Sequence, residues 1–163
     1  MMTLDEAKAY LRLETAQDDA LIAGLVASAR SLCEAFLGQR LIRGEVTETV
    51  AADGAWHRLG AAPVVAITSV AGAGVLPVTA YAVDIDPAGE GWVRSGVGGT
   101  VRVTYRAGIA EDDGGVPAAV AHGVVRLAAH LYLDRGEVGP PPTTVAALWR
   151  PFRRLRLAPE GRA

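Results

Sequence analysis

The chain reads as an α+β fold: a mainly helical frame into which a small antiparallel sheet is inserted. Three observations predict it. Two helical patterns open the chain, the apolar period changes to two between Leu41 and Gly108, and a long helical pattern then runs over Val116–Gly136. At 163 residues the chain is large enough for a core, and 50% hydrophobic residues with only 6% aromatics make that core mostly Ala, Val and Leu.

The first helix starts at a capping box. Thr3 is the cap and Glu6, three residues on, can reach back to it, and Leu4, Ala7 and Leu11 form the inner face. Gln17-Asp18-Asp19 opens a longer helix whose expected buried stripe is Leu21, Leu25, Ala29, Leu32 and Phe36, with Gly38 placed to stop it. Cys33 lies in this pattern and reads as a buried thiol; a disulfide within the chain is impossible because it is the one cysteine.

The sheet block is legible from alternation and turns. Val101, Val103 and Tyr105 alternate with Arg102, Thr104 and Arg106, a strand with one dry face. Other strand-like runs are Val46–Val50, Pro63–Val70, Val75–Asp84 and Trp92–Arg94, separated by Gly-rich turns. Leu59–Val83 has no charged residue and is long enough to cross a bilayer. Pro63, Pro77, Gly60, Gly72 and Gly74 argue instead for a β-hairpin, Val64–Val70 and Val75–Val83 around a Gly-Ala-Gly turn. No signal peptide is expected, because the N-terminus is charged and amphipathic.

The central helix carries Val120, Val124, Leu127 and Leu131, with Ala128, in one apolar stripe. His122, Arg126, His130 and Asp134 step along the other side. Pro117 suits its first turn, Glu111, Asp112 and Asp113 precede its positive end, and Gly136 with Pro140–Pro142 closes it. A short amphipathic helix over about Thr144–Leu155 follows, kinked or ended near Trp149 by Pro151. The domain division expected is 1–139, with the β insertion at about 41–108, and 140–163 as a Pro-rich spacer and docking tail.

Catalytic and metal chemistry find little footing. His122 and His130 are eight residues apart, about 12 Å along a helix, too far to share one tetrahedral ion. His57 beside Trp56 belongs to a turn and strand start, and no nucleophile elbow is present. Asp84-Ile85-Asp86 with Gly89 and Glu90 lacks the alternating ligands of a calcium loop and reads as a hairpin turn. Gly96-Val97-Gly98-Gly99-Thr100 leads into a strand rather than a helix, so it does not cradle phosphate. No cofactor is expected.

Charge singles out the tail. From Leu148 onward five arginines face only Glu160, a net of +4, which leaves −6 for the rest of a chain whose net charge is −2. Leu148, Trp149, Arg150, Phe152, Arg153, Arg154 and Arg156 combine the residue types enriched at dominant interface positions. Three readings stand: packing on its own domain, docking on another protein, and direct DNA contact.

Laid in order, these pieces resemble the head–tail connector (adaptor) proteins of long-tailed bacteriophages and of phage-derived gene transfer agents. TLDEAKAYLRL followed by Asp18-Asp19 is similar to the family's N-terminal signature. PVVAITSV at Pro63–Val70 and Tyr105-Arg106-Ala107-Gly108 are similar to its middle section. Val116-Pro117, opening a helix that ends in Leu131-Tyr132-Leu133-Asp134-Arg135-Gly136, resembles its next block. Leu148-Trp149-Arg150-Pro151-Phe152-Arg153 resembles a closing Leu-Leu-x-Pro-Tyr-Arg motif, with Phe152 in place of tyrosine and Trp149 where smaller or polar residues are commoner.

The resemblance implies a non-enzymatic virion part that forms a ring, typically of about twelve subunits, beneath the portal protein. Such a ring joins the capsid to a tail-side connector or tail terminator protein and surrounds the channel for DNA, which passes without sequence-specific binding. It further implies assembly in the bacterial cytoplasm, no membrane partner, and a chain that can stay monomeric until it meets the portal. The tail residues named above would then contact the portal or a neighbouring subunit. A small DNA-binding or ligand-binding domain with a basic tail is the alternative.

Overall fold

A computed structural model describes residues 3–74, 76–134 and 140–154. Among these residues, four α-helices and six strands make the expected α+β fold. The chain divides into two compact units. Among the described residues, one unit is built from those up to Gly38 and from Asp112 to Arg154, the other from Gln39–Glu111.

In the first unit, α1 (Leu4–Leu11) begins at the expected capping box: Thr3 Oγ1 accepts from Glu6 N (3.3 Å) and Glu6 Oε2 accepts from Thr3 N (3.4 Å). Lys8 pairs with Asp19 (2.6 Å), joining α1 to the first residue of α2 (Asp19–Leu37). Gly38 ends α2 in the left-handed conformation, φ 66°, where a side chain would be strained.

The buried face of α2 differs from the expected one. Ile22, Val26, Ala29, Cys33 and Leu37 are buried, whereas Leu21 is 46% and Leu32 43% exposed. A helix this rich in Ala and aliphatic residues offers several stripes at helical spacing. Only packing against α3 (Ala118–Leu133) selects one. Among the described residues α2 is also the one helix long and apolar enough, by length and composition, to cross a membrane.

The Cys33 thiol is fully enclosed, and burial, with a lesser contribution from Glu34, pushes its pKa up to about 12. A thiol reagent at pH 8 should therefore modify native Cys33 orders of magnitude more slowly than the urea-unfolded chain. Equal rates in the two states would contradict the burial.

The central helix α3 holds Val120, Val124, Leu127 and Ala128 in the core as expected, but Ala121, Gly123, Val125 and Ala129 are buried too, and Leu131 is half-buried. Pro117 stands one position outside it, and the helix ends at Leu133; Gly136 lies outside the described residues. The acids ahead of it have separate roles. Asp112 caps a single 3-10 turn, Asp113 pairs with Arg30 of α2 (2.9 Å), and Glu111 pairs with Arg43 and Arg106 in the sheet unit. His122, His130 and Asp134 are exposed as expected and Arg126 is half-buried. Tyr132 donates to Asp18 (2.5 Å).

The second unit holds two three-stranded antiparallel sheets. One has the order β1-β6-β3, from Gly44–Ala51, Thr100–Ala107 and Val64–Ala71; the other has β2-β5-β4, from Trp56–Arg58, Gly91–Ser95 and Tyr81–Ile85. The alternation expected of β6 is met: Val101, Val103, Tyr105 and Ala107 are buried. They join Val64, Val70 and Val93 in a core drawn from both sheets. Gly91 lets that core close, since a Cβ there would lie 2.8 Å from Val64 Cγ2 and 2.9 Å from Leu59 Cδ1.

The hairpin expected over Leu59–Val83 does not form. β3 pairs with β6 and β4 with β5, so the two runs belong to different sheets. Their connection contains Pro77 and a 3-10 turn at Val78–Ala80, and β6, far along the chain, supplies the ladder that β3 needs. Asp86–Glu90 is a hairpin turn as expected: the Asp86 carboxylate accepts from Glu90 N (2.9 Å) within the β4–β5 connection. The Gly96–Gly99 turn leads from β5 into β6. His57 lies on β2, its Nε2 2.8 Å from Asp53 Oδ1, and that hydrogen bond holds the Asp53 carboxyl below its usual pKa.

Candidate partner interface

The last helix, α4 (Thr143–Trp149), follows the described prolines Pro140–Pro142 and stops where Pro151 predicts, running into one 3-10 turn, Arg150–Phe152. Its apolar side is Val145 and Trp149, four residues apart, and both are buried in the helical unit.

Trp149 is wholly enclosed. Its indole N–H donates to Val120 O (3.2 Å), its ring lies 5.7 Å from that of Phe36, and Gly123 leaves it room. A Cβ on Gly123 would meet the indole outright, within 2.8 Å at Trp149 Cε2. The expectation that Trp149 faces a partner therefore does not match its position: its large apolar area serves its own unit. Leu148 and Phe152 are half-buried.

The charged residues of the segment are displayed differently. Arg150 and Arg153 are exposed and Arg154 half-buried. Arg153 carries its guanidinium 5.3 Å above the Phe36 ring, and Arg154 N donates to Leu37 O (2.9 Å) at the end of α2. Cations there are favoured by the negative end of the α2 dipole. The structure thus places Arg153 and Arg154 beside the α2 C-terminus, with Arg150 exposed one turn earlier, on a segment pinned from within by Trp149. Arg156 lies outside the described residues.

Two further surfaces of the helical unit escape sequence reasoning. Leu21 and Leu32, assigned there to the core, are exposed on α2. A groove of about 410 Å³ also runs between α1 and α3, lined by Glu6, Ala9, Tyr10, Ala118, Ala121, His122 and Val125. Helix periodicity counts apolar positions but does not say which of them a neighbouring helix will cover. Among the described residues, no three His, Cys, Asp or Glu side chains converge as a metal site.

Residues 1–73 match the family model described as "Phage gp6-like head-tail connector protein". No curated protein matches the chain. Among solved structures, a chain in the neck of an empty gene transfer agent (GTA) particle, computed with C6 symmetry, superposes with a TM-score of 0.73 at 23% identity, over 95% of this chain and 90% of that one. A chain in the virion of the native GTA particle gives the same values. One in the neck of the native particle, computed with C12 symmetry, gives 0.73 at 21% identity over the same shares. The chain thus matches the phage gp6-like head–tail connector model over residues 1–73, and over 95% of its length it has the fold of a chain in a gene-transfer-agent neck.

Proposed function

We propose that this protein is a structural head–tail connector of a tailed phage or a gene transfer agent, and that it transforms no substrate. One observation carries the reading: a connector-family match in the N-terminal part coincides with a TM-score of 0.73 to a particle-neck protein over 95% of the chain. The alternative of a small DNA-binding or ligand-binding domain is not favoured, because neither comparison points to it.

In this reading the chain occupies the virion neck and forms a ring of about twelve copies, in keeping with the C12 symmetry used for the neck of the native particle. The ring binds the portal protein on one side and a tail connector or terminator on the other, with DNA passing through. It assembles in the bacterial cytoplasm. Arg150, Arg153 and Arg154, continued by Arg156, pair with carboxylates of the portal or of a neighbouring subunit, and Leu148 and Phe152 add apolar contact. Trp149 contributes by holding that segment in place. Residues 140–163 act as the docking tail.

Arg150 and Arg153 are exposed, so reversing both charges should leave the fold intact. R150E/R153E is expected to weaken binding to purified portal protein by at least about tenfold, since removing one partner from close interfacial charge pairs costs about 2–5 kcal/mol. Portal binding at wild-type strength would remove the tail from the interface.

A further inference from the structure

We propose that copies of this chain pack head-to-tail by seating the outer face of α2 of one subunit in the groove along α3 of the next. The proposal rests on the ring reading above and adds the two surfaces that meet.

The outer face of α2 is a ridge without charge. Nine residues between Asp19 and Leu37 are exposed, and none of them is ionisable. Leu21 and Leu32 are the large ones; at eleven residues apart they fall on one line of the helix, about 16 Å from each other. Gly24, Ser28 and Ser31 lie between them and keep the ridge low enough for close approach.

The receiving surface is mostly apolar along its α1–α3 part and matches in length. The α1–α3 groove adjoins a second hollow, whose lining is apolar at Ala129, Leu133, Pro142 and Val145 and polar at Arg126, His130 and Thr144, and the two share Tyr10. Together they follow α3 from Ala118 to Leu133, about 24 Å, against about 28 Å for α2. Tyr10 and Leu133, 50% and 70% exposed, are the large apolar side chains that such an occupant would cover.

An amphipathic helix laid in an apolar groove is a recurrent recognition mode. A second copy is the favoured occupant because a rotationally symmetric ring needs two unlike, complementary patches on every subunit. The ridge and the groove are such a pair, and a neck protein of this fold comes from a particle neck computed with C12 symmetry.

The test uses full-length chains under the conditions in which the wild type assembles, alone or on portal protein. L21E/L32E charges the ridge and leaves the groove intact. A9E/A118E charges the groove and leaves the ridge intact. All four positions are exposed, so circular dichroism and melting should match wild type. Each variant alone is expected to stay monomeric by native mass spectrometry, and an equimolar mixture should give a heterodimer, since one working ridge then meets one working groove. Rings of wild-type mass from either variant would overturn the pairing and leave the connector reading standing. So would self-association of the groove variant, which would show ridge-to-ridge contact. A wild-type chain that assembles neither alone nor on portal protein would remove both readings.

Discussion

Trp149→Ala is expected to destabilise the chain by about 3–5 kcal/mol, the usual cost of deleting a large aromatic from a packed interior. The side chain has no exposed surface, its indole N–H meets Val120 O, and its ring packs on Phe36 and against the bare backbone of Gly123. Truncation would leave a cavity that three helices cannot collapse into without moving apart. Domains of this size are stable by about 5–15 kcal/mol, so the variant would lose a large part of its margin. Urea unfolding followed by circular dichroism reads the effect as a lower midpoint at unchanged slope. Trp149→Phe should recover most of the loss. A shift below about 1 kcal/mol for Trp149→Ala would mean that the tryptophan is not packed as described, and would return it to the partner-facing role read from the sequence.

Gly108→Ala should cost a comparable amount by a different route. Gly108 has φ 144°, a backbone region that L side chains rarely adopt. A Cβ there would stand 2.5 Å from Arg43 N and 2.6 Å from Arg43 Cα, both backbone atoms that cannot rotate away. The position is held from both sides: Gly108 N donates to Pro63 O (2.9 Å), and Gly108 O accepts from Arg43 Nε (3.3 Å). Backbone strain of about 1–3 kcal/mol adds to about 1–3 kcal/mol of overpacking. The same midpoint measurement checks it, with Gly54→Ala as a comparison. Gly54 also has positive φ, 87°, but a Cβ there meets nothing, so it reports strain alone. Equal losses at the two positions would show that the close approach at Arg43 contributes nothing.

The arginine tail was legible in composition, and two of its members, Arg150 and Arg153, are exposed. The role of its tryptophan was not. Trp149 looks like an interface anchor in a linear motif because Trp, Phe and Arg stand side by side. What removes it from the surface is Gly123, twenty-six residues earlier, whose missing side chain opens the space the indole fills. The ridge on α2 stayed hidden for a related reason. Leu21, Leu25 and Leu32 satisfy helical spacing as well as Ile22, Val26 and Cys33 do.

By itself the sequence determined the features whose physics is local. These are the Thr3–Glu6 capping box, the stop of α2 at Gly38, the alternation of β6, the end of α4 before Pro151, and the order of helices and strands that carries the connector resemblance. Each depends on groups a few residues apart, so the chain states them outright. Only the tertiary structure decided which stripe of α2 is buried, that β3 and β4 enter different sheets, and that Trp149 faces inward. Those choices turn on which distant segment supplies the complementary surface or the open hydrogen-bonding edge, and spacing along the chain carries no record of that.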